Sequence, residues 1–273
     1  MLLFHAPGLL RIVEHRYDAG LRLRSHTHAV PSMSIVLAGR LHERRGRLVE
    51  SARSLSLSFM GADIAHDDEF GPRGGVMFQV HFESPSDTFD DCGGSLFDGW
   101  HWFRGGPAVR PFLRLVHAAR AQRSGEDIQQ IVLDVVTAAE PPADARGTRP
   151  LWLERVREAI DDSREWPRVG ELARVAGVHR VQLARQFRRY FGCSVSAYVR
   201  RTRLQVAAEQ IVTGGTIAAA SHDAGFHDHA HLCRAFEAET SLSPSGWRNL
   251  RRDQSAHPDA DDGRHERHRR QRE

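Results

Sequence analysis

Residues 222–236 read HDAGFHDHAHLCRAF, with His222, His227, His229, His231 and Cys233 inside twelve positions. Imidazole nitrogen and thiolate sulfur are the ligands zinc prefers, so the stretch first suggests a metal centre. The helical register argues otherwise. Asp228 is a good N-cap, which places His229, Ala230 and His231 in the first turn of a helix whose buried stripe is Leu232, Ala235 and Phe236. Ala230, His231 and Arg234 then face outward, and His222 and His227 precede the cap. Only His229 and Cys233, at i and i+4, can meet, and two ligands do not make a structural zinc site. An exposed helix start rich in donors suits contact with another molecule. A second pair, His26 and His28 in GLRLRSHTHAVPSMSIVLAG (20–39), lies two apart on an expected strand and therefore on one face.

The chain around these residues has the composition of a soluble globular protein, 40% apolar and 27% charged, and its 273 residues allow two domains. No apolar run approaches the ~20 residues a membrane helix needs. The opening MLLFHAPGLLRIVEHR is broken by His5, Pro7 and Arg11, so no signal peptide is expected. Cys92, Cys193 and Cys233 are odd in number and scattered, which fits a reducing, cytoplasmic setting. All 38 basic residues are arginine. Net charge is −2 over residues 1–105, +1 over 106–150, +5 over 151–252 and −1 over 253–273, so the positive charge sits in one block.

Period-2 patterns fill the first hundred residues. SLSLSFM (54–60) alternates Leu55, Leu57 and Phe59 with serines, as a half-buried strand does, and VMFQVHFE (76–83) puts Val76, Phe78, Val80 and Phe82 on one side. MSIVLAGRLHERRGRLVE (33–50) reads as two strands punctuated by Gly39 and Gly46. Such spacing predicts a sandwich or barrel. From about residue 107 the period becomes helical. Phe112, Leu115, Val116 and Ala119 form one stripe and Ile128, Ile131, Val132, Val135 and Val136 another, joined by SGED (124–127). This hairpin is a candidate dimerisation element. EPPADARGTRP (140–150) has linker composition, and the charged end from residue 253 is expected to be disordered.

Residues 151–252 are helical throughout and contain a duplication. LARQFRRYFGCSVSAY (183–198) overlays LCRAFEAETSLSPSGW (232–247), pairing Leu183 with Leu232, Arg185 with Arg234, Phe187 with Phe236 and Tyr198 with Trp247. Gly177 and Gly225 take the matching turns. Each copy predicts a short helix, a glycine turn and a second helix carrying L-x-R-x-F. Ala173 and Ser221 take the small position where the two helices cross. A helix from about Ser196 to Thr213, stopped by Gly214 and Gly215, joins the copies. At ~1.5 Å per residue it spans roughly 27 Å, near the ~34 Å between successive major grooves.

The tandem unit, its L-x-R-x-F helices and the closing SLSPSGWR resemble the DNA-binding domain of the AraC/XylS family of bacterial transcription regulators. Ser241 stands where that family usually has glycine, and Ser221 where it usually has alanine. The resemblance implies that Arg180, Val181, Ala184 and Arg185, with Arg188 on phosphate, face DNA from the first reading helix. His229, Ala230, His231 and Arg234 do so from the second. Arg185 and Arg234 are the expected base readers, because a guanidinium pairs bidentately with guanine. In the amino-terminal part, Gly20, His26-x-His28 and Gly39 resemble the first cupin motif, with Ser32 or Met33 in place of its glutamate. MGADIAHD (60–67) resembles the second motif in supplying His66.

The expected architecture is α+β and multidomain. A cupin-like antiparallel β-barrel covers 1–105, a helical hairpin and linker 106–150, an all-α tandem helix-turn-helix domain 151–252, and a disordered tail 253–273. The expected function is a non-enzymatic, cytoplasmic, sequence-specific regulator, an activator in the commoner family outcome. Its partners would be double-stranded DNA, a small-molecule effector, RNA polymerase and a second copy of the chain, with no membrane. His26, His28 and His66 are the expected effector pocket, without a required cofactor. The alternative is a metal-dependent cupin enzyme or sensor that holds a divalent ion on those three histidines.

Overall fold

A computed structural model describes residues 1–83, 96–139, 149–163 and 166–252. The expected α+β architecture is the one observed. Eight strands, β1 (Leu2–Ala6), β2 (Leu10–Tyr17), β3 (Arg22–His26), β4 (Ser32–Arg45), β5 (Leu48–Arg53), β6 (Ser56–Met60), β7 (His66–Phe82) and β8 (Trp100–Arg104), form one antiparallel sheet. The pairing runs β1-β2-β7-β4-β6-β8, with β3 added to β7 and β5 to β4. The expected barrel is thus a sheet wound about the two long strands β4 and β7.

Gly39 does not end a strand, contrary to expectation. β4 runs through it with register shifts on either side, and a Cβ there would stand 2.0 Å from the Gly74 carbonyl oxygen. The glycine lets two backbones touch at a bulge, beyond which the second half of β4 pairs with β5 and the first part of β7. The strand break falls at Gly46, between β4 and β5.

Helices α1 (Val109–Arg120) and α2 (Gly125–Ala138) form the expected hairpin, and Ser124 caps α2 by accepting the Asp127 N–H at 3.2 Å. Their apolar stripes pack on the sheet. Phe112 meets Phe78 edge-to-face with ring centres 6.1 Å apart, and Val116, Ile128, Val132 and Val135 are fully buried in the same core. The inner stripe of the hairpin is therefore occupied within the chain. The linker segment 140–148 and the tail from 253 lie outside the described residues.

The carboxy-terminal part contains α3 (Leu151–Asp162), α4 (Val169–Ala176), α5 (Arg180–Phe191), α6 (Val195–Val212), α7 (Ile217–Asp223), α8 (His229–Thr240) and α9 (Pro244–Arg252). Leu153, Val156, Ile160, Leu172, Leu183, Phe187, Tyr198 and Val199 form a core around the first unit. Leu204, Ala207, Ala208 and Ile211, on the second half of α6, join Phe226, Leu232, Phe236 and Trp247. That second core is continuous with the core of the sheet and hairpin. The second helical unit therefore shares its interior with the amino-terminal part.

Polar contacts reinforce the junction. Gln205 of α6 donates to Ser56 of β6 at 2.9 Å, Glu209 accepts from Arg40 at 3.2 Å, and Arg104 of β8 meets Asp161 of α3 at 2.7 Å. The serine face of β6 was expected to meet solvent. Ser54, Ser56 and Ser58 are buried instead: Ser54 donates to the Leu37 carbonyl, Ser56 accepts from Gln205 of α6, and Ser34 bonds Ser58 at 2.7 Å. Alternation of apolar and polar residues shows two faces; it does not show that the polar face is wet.

Candidate nucleic-acid interface and histidine cluster

Each helical copy folds as its sequence predicts. α4 ends at Gly177 in the left-handed region (φ 66°), and α5 follows after the His179 cap. α7 is followed by Gly225 (φ 71°), and Asp228 caps α8 by accepting the His231 N–H at 2.6 Å. That bond, with His227 beside it, holds the Asp228 carboxyl below its usual range. Ser221, at the helix crossing, is buried and donates its hydroxyl to the Asp228 carbonyl at 2.9 Å. Here the serine ties the two helices together. Ser241 ends α8 at φ 60°, the left-handed position that Gly192 (φ 68°) takes after α5.

The outward residues lie where the helical register puts them. Leu183 and Phe187 are fully buried, while Arg180, Val181, Ala184, Arg185 and Arg188 are exposed on the other side of α5. On α8, Leu232 and Phe236 are buried and His229, Ala230 and Arg234 exposed. His231 is half-buried, its ring set edge-on against Phe226 at 5.2 Å, so part of it serves the turn. Val181 is a large apolar residue left 64% exposed on the outward face of α5. Among the described residues, no salt bridge engages Arg180, Arg185, Arg188 or Arg234. Their guanidinium groups are available to phosphate or base edges.

The joining helix α6 has eighteen residues, Val195 to Val212, between the Ser194 cap and Thr213. Ser194 accepts the Ala197 N–H at 3.2 Å. At ~1.5 Å per residue its length is roughly 27 Å. Its burial along both halves packs α5 and α8 against one helix.

His26, His28 and His66 come together in the sheet domain. Ring centres are 4.2 Å apart for His26 and His66, and 5.2 Å for His28 to each of the other two. Register explains it: His26 pairs with His66 across β3 and β7, and His28 follows two residues on. The same register brings in residues that the sequence reading missed. Asp68 is two along β7 from His66 and pairs with Glu43 of β4. Glu43 lies 3.8 Å from His66, with both side chains almost wholly buried, and Asp68 lies 3.8 Å from His26. Trp102 of β8 donates its indole N–H to Glu43 at 2.7 Å. His81 borders His28 at 6.0 Å. Glu43 is distant in sequence, and only the β4–β7 pairing joins it to the cluster, whereas Asp68 shares a strand face with His66.

Burial shapes the protonation of this cluster. It pushes the Glu43 carboxyl up to about 8, with Asp68 adding to the effect, and raises Asp68 to about 7, helped by Asp67. It lowers His26 and His66, takes His28 to about 4 with His66 and His26 contributing, and takes His81 to about 3 with Arg11 contributing. The histidines are neutral at pH 7, with ring lone pairs available as ligands or acceptors.

Residues 172–250 match the family described as a helix-turn-helix domain. A protein of Streptomyces lividans described as an AraC-like transcription regulator is 33% identical over 89 residues, 32% of this chain and 29% of that protein. The carboxy-terminal domain is thus a helix-turn-helix domain similar to part of that AraC-like regulator. The present chain spans less than a third of that AraC-like relative. A transcriptional regulator with an AraC-type DNA-binding domain from Chromobacterium violaceum is 25% identical over 37% of this chain and 92% of its own, with a TM-score of 0.36. ToxT of Vibrio cholerae, in complex with (E)-4-(8-methylnaphthalen-1-yl)but-3-enoic acid, is 10% identical over 89% of this chain and 99% of its own, with a TM-score of 0.36.

Proposed function

We propose that this chain is a sequence-specific, DNA-binding transcription regulator whose sheet domain receives a small effector. One observation carries the proposal. Two AraC-type units present matching faces, Arg185 on α5 and Arg234 on α8, on a single rigid helix. Arg180, Arg185 and Arg234 read base edges, with His229 and His231 beside them. Arg188 neutralises phosphate, and Val181, Ala184 and Ala230 make apolar contacts such as those with thymine methyls.

Control by an effector is supported by the shared core. A ligand that moves the sheet relative to α6 alters the hold on the second reading unit directly. The effector pocket is the cluster of His26, His28 and His66. The protein acts in the cytoplasm without catalysing a reaction, as an activator that engages RNA polymerase. Self-association through α1 and α2 would use their outer faces, because the inner stripes are packed on the sheet.

Selection of duplexes from a random DNA pool by the full chain tests the proposal. Enrichment of a bipartite motif with half-sites about one helical turn apart is the expected result. Recovery of sequences without a shared motif would refute sequence-specific reading.

A further inference from the structure

We propose that Trp166 is a positioning residue for DNA reading: it clamps the first helical unit to the turn of the second and so sets the half-site spacing the protein accepts. The proposal deepens the regulator reading above and rests on it for the DNA spacing, though not for the clamp itself.

A joining helix fixes how far apart two units stand, but their relative rotation depends on side-chain packing. Each base pair inserted between two half-sites turns one of them by about 34° and moves it by about 3.4 Å. A protein that holds both reading helices in one phase rejects the insertion. One whose units swivel tolerates it. Whatever joins the units beside α6 therefore decides spacing selectivity.

Trp166 lies between α3 and α4, in the first unit. Pro167 follows it and restricts the backbone of both residues, and Glu171 of α4 accepts the Arg168 N–H at 2.9 Å. A short, stiff stretch ties the indole to the start of α4. Among the described partly buried apolar residues, Trp166 is the one that packs against both cores, that of the first unit and that of the second.

Its indole N–H donates to the Ala224 carbonyl at 2.9 Å. Ala224 is fully buried at the carboxy end of α7, where carbonyls lack partners within their own helix. Arg203 of α6 donates to the same oxygen at 3.2 Å, and its guanidinium lies 5.1 Å from the Trp166 ring centre. Arg203 is only 4% exposed, and an aromatic face is a favourable neighbour for a cation so removed from water. One carbonyl of the second unit is held by a side chain of the first and by one of the joining helix.

The clamp reaches reading helix α8 as well. Trp166 meets the Phe226 ring edge-to-face at 5.4 Å, and Phe226 meets the His231 ring at 5.2 Å. The turn leaves no slack, because a Cβ on Gly225 would stand 2.6 Å from the indole nitrogen and 2.8 Å from Arg203. A swivel of the second unit has to break the hydrogen bond and the ring contact together.

The test compares the full chain with Trp166→Leu and Trp166→Phe on a duplex obtained by selection and on one lengthened by a single base pair between its half-sites. Wild type should bind the lengthened duplex about twentyfold more weakly or worse, as when half-site contacts are mismatched. Trp166→Leu should bind the original duplex about three- to fivefold more weakly and disfavour the lengthened one by less than about threefold, because its units are ordered only on binding. Trp166→Phe keeps the ring contact without the N–H and should lie between the two. A side chain that only adds stability would weaken binding to both duplexes in proportion and leave their ratio unchanged. Spin labels on Val181→Cys and Ala230→Cys, with Cys92, Cys193 and Cys233 replaced by serine, report the distance between reading helices without DNA. Its distribution should be about twice as broad or more in Trp166→Leu as in wild type. Wild-type spacing selectivity in Trp166→Leu, or an unchanged distance distribution, would overturn the clamp. If Trp166→Leu does not fold, the same ratio and width are read in Trp166→Phe, where wild-type values would overturn it equally. A wild type that binds no bipartite site would refute the regulator reading instead, and the distance distributions then decide the clamp.

Discussion

Replacing Asp161 by alanine separates the sheet domain from the first helical unit at a single point. Asp161 and Arg104 meet at 2.7 Å with side chains 13% and 6% exposed, and Tyr198 forms one wall of the contact. Burial pushes the Asp161 carboxyl upward against the pull of Arg104, Arg157 and Arg53, so desolvation outweighs attraction there. Such a pair adds little net stability, yet removing one partner strands a buried charge at about 3–5 kcal/mol. Glu50, held by Arg149 and Arg157 at 3.3 and 3.2 Å, supplies some compensating negative charge nearby. The lower end, about 3 kcal/mol, is therefore expected for Asp161→Ala. Urea unfolding followed by tryptophan fluorescence, with hydrogen exchange resolved by segment, measures it. Exchange should accelerate first in α3 to α5. The double variant Arg104→Met with Asp161→Leu should recover most of the loss, because an apolar pair needs no desolvation. A loss below about 0.5 kcal/mol in Asp161→Ala would refute the claim that this contact is buried and unscreened.

Arg185→Ala and Arg234→Ala should each weaken specific binding by about 1–3 kcal/mol in gel-shift titrations, while Arg188→Ala should mainly reduce the salt slope by about one. The two turn glycines should differ in tolerance. Gly177 (φ 66°) has open space where a Cβ would go, so Gly177→Ala costs only the left-handed backbone penalty, about 1–2 kcal/mol. At Gly225 (φ 71°) a Cβ would stand 2.6 Å from the Trp166 ring nitrogen, so Gly225→Ala should cost a further 1–3 kcal/mol or so by thermal unfolding. His81, lowered to about 3 by burial and then by Arg11, His28 and His15 against the opposing Glu83, is neutral when folded and charges near 6.5 when unfolded. Its contribution to stability is present above about 6.5 and is lost as pH falls toward 3, so His81→Gln should flatten that acid limb in pH-dependent unfolding.

Much of the carboxy-terminal half was legible because helix physics is local. Asp228, Gly177 and Gly225 announce caps and turns from a few neighbouring residues, and a repeat checks each assignment twice. His26, His28 and His66 also come together, though not by the strand face expected of the first two: β3 ends at His26, and His28 reaches the cluster from just beyond the strand. Glu43 was not legible: it sits in a stretch rich in charge, and only the pairing of β4 with β7, across a bulge at Gly39, places it beside Asp68 and His66. Asp68, two residues from His66 on one strand, could have been found by alternation. The buried serine Ser56 of β6 escaped for a similar reason, since its partner Gln205 on α6 lies 149 residues along the chain. Long-range register and interdomain packing are cooperative properties, and local periodicity does not encode them.

Hydroxyl-radical footprinting of the full chain on a selected duplex tests the central claim most directly. The expected result is two protected patches on one face of the DNA, about 10–10.5 base pairs between centres, with Arg185→Ala weakening one patch and Arg234→Ala the other. A single patch, or protection that follows no helical phase, would contradict the placement of two reading helices on one rigid rod.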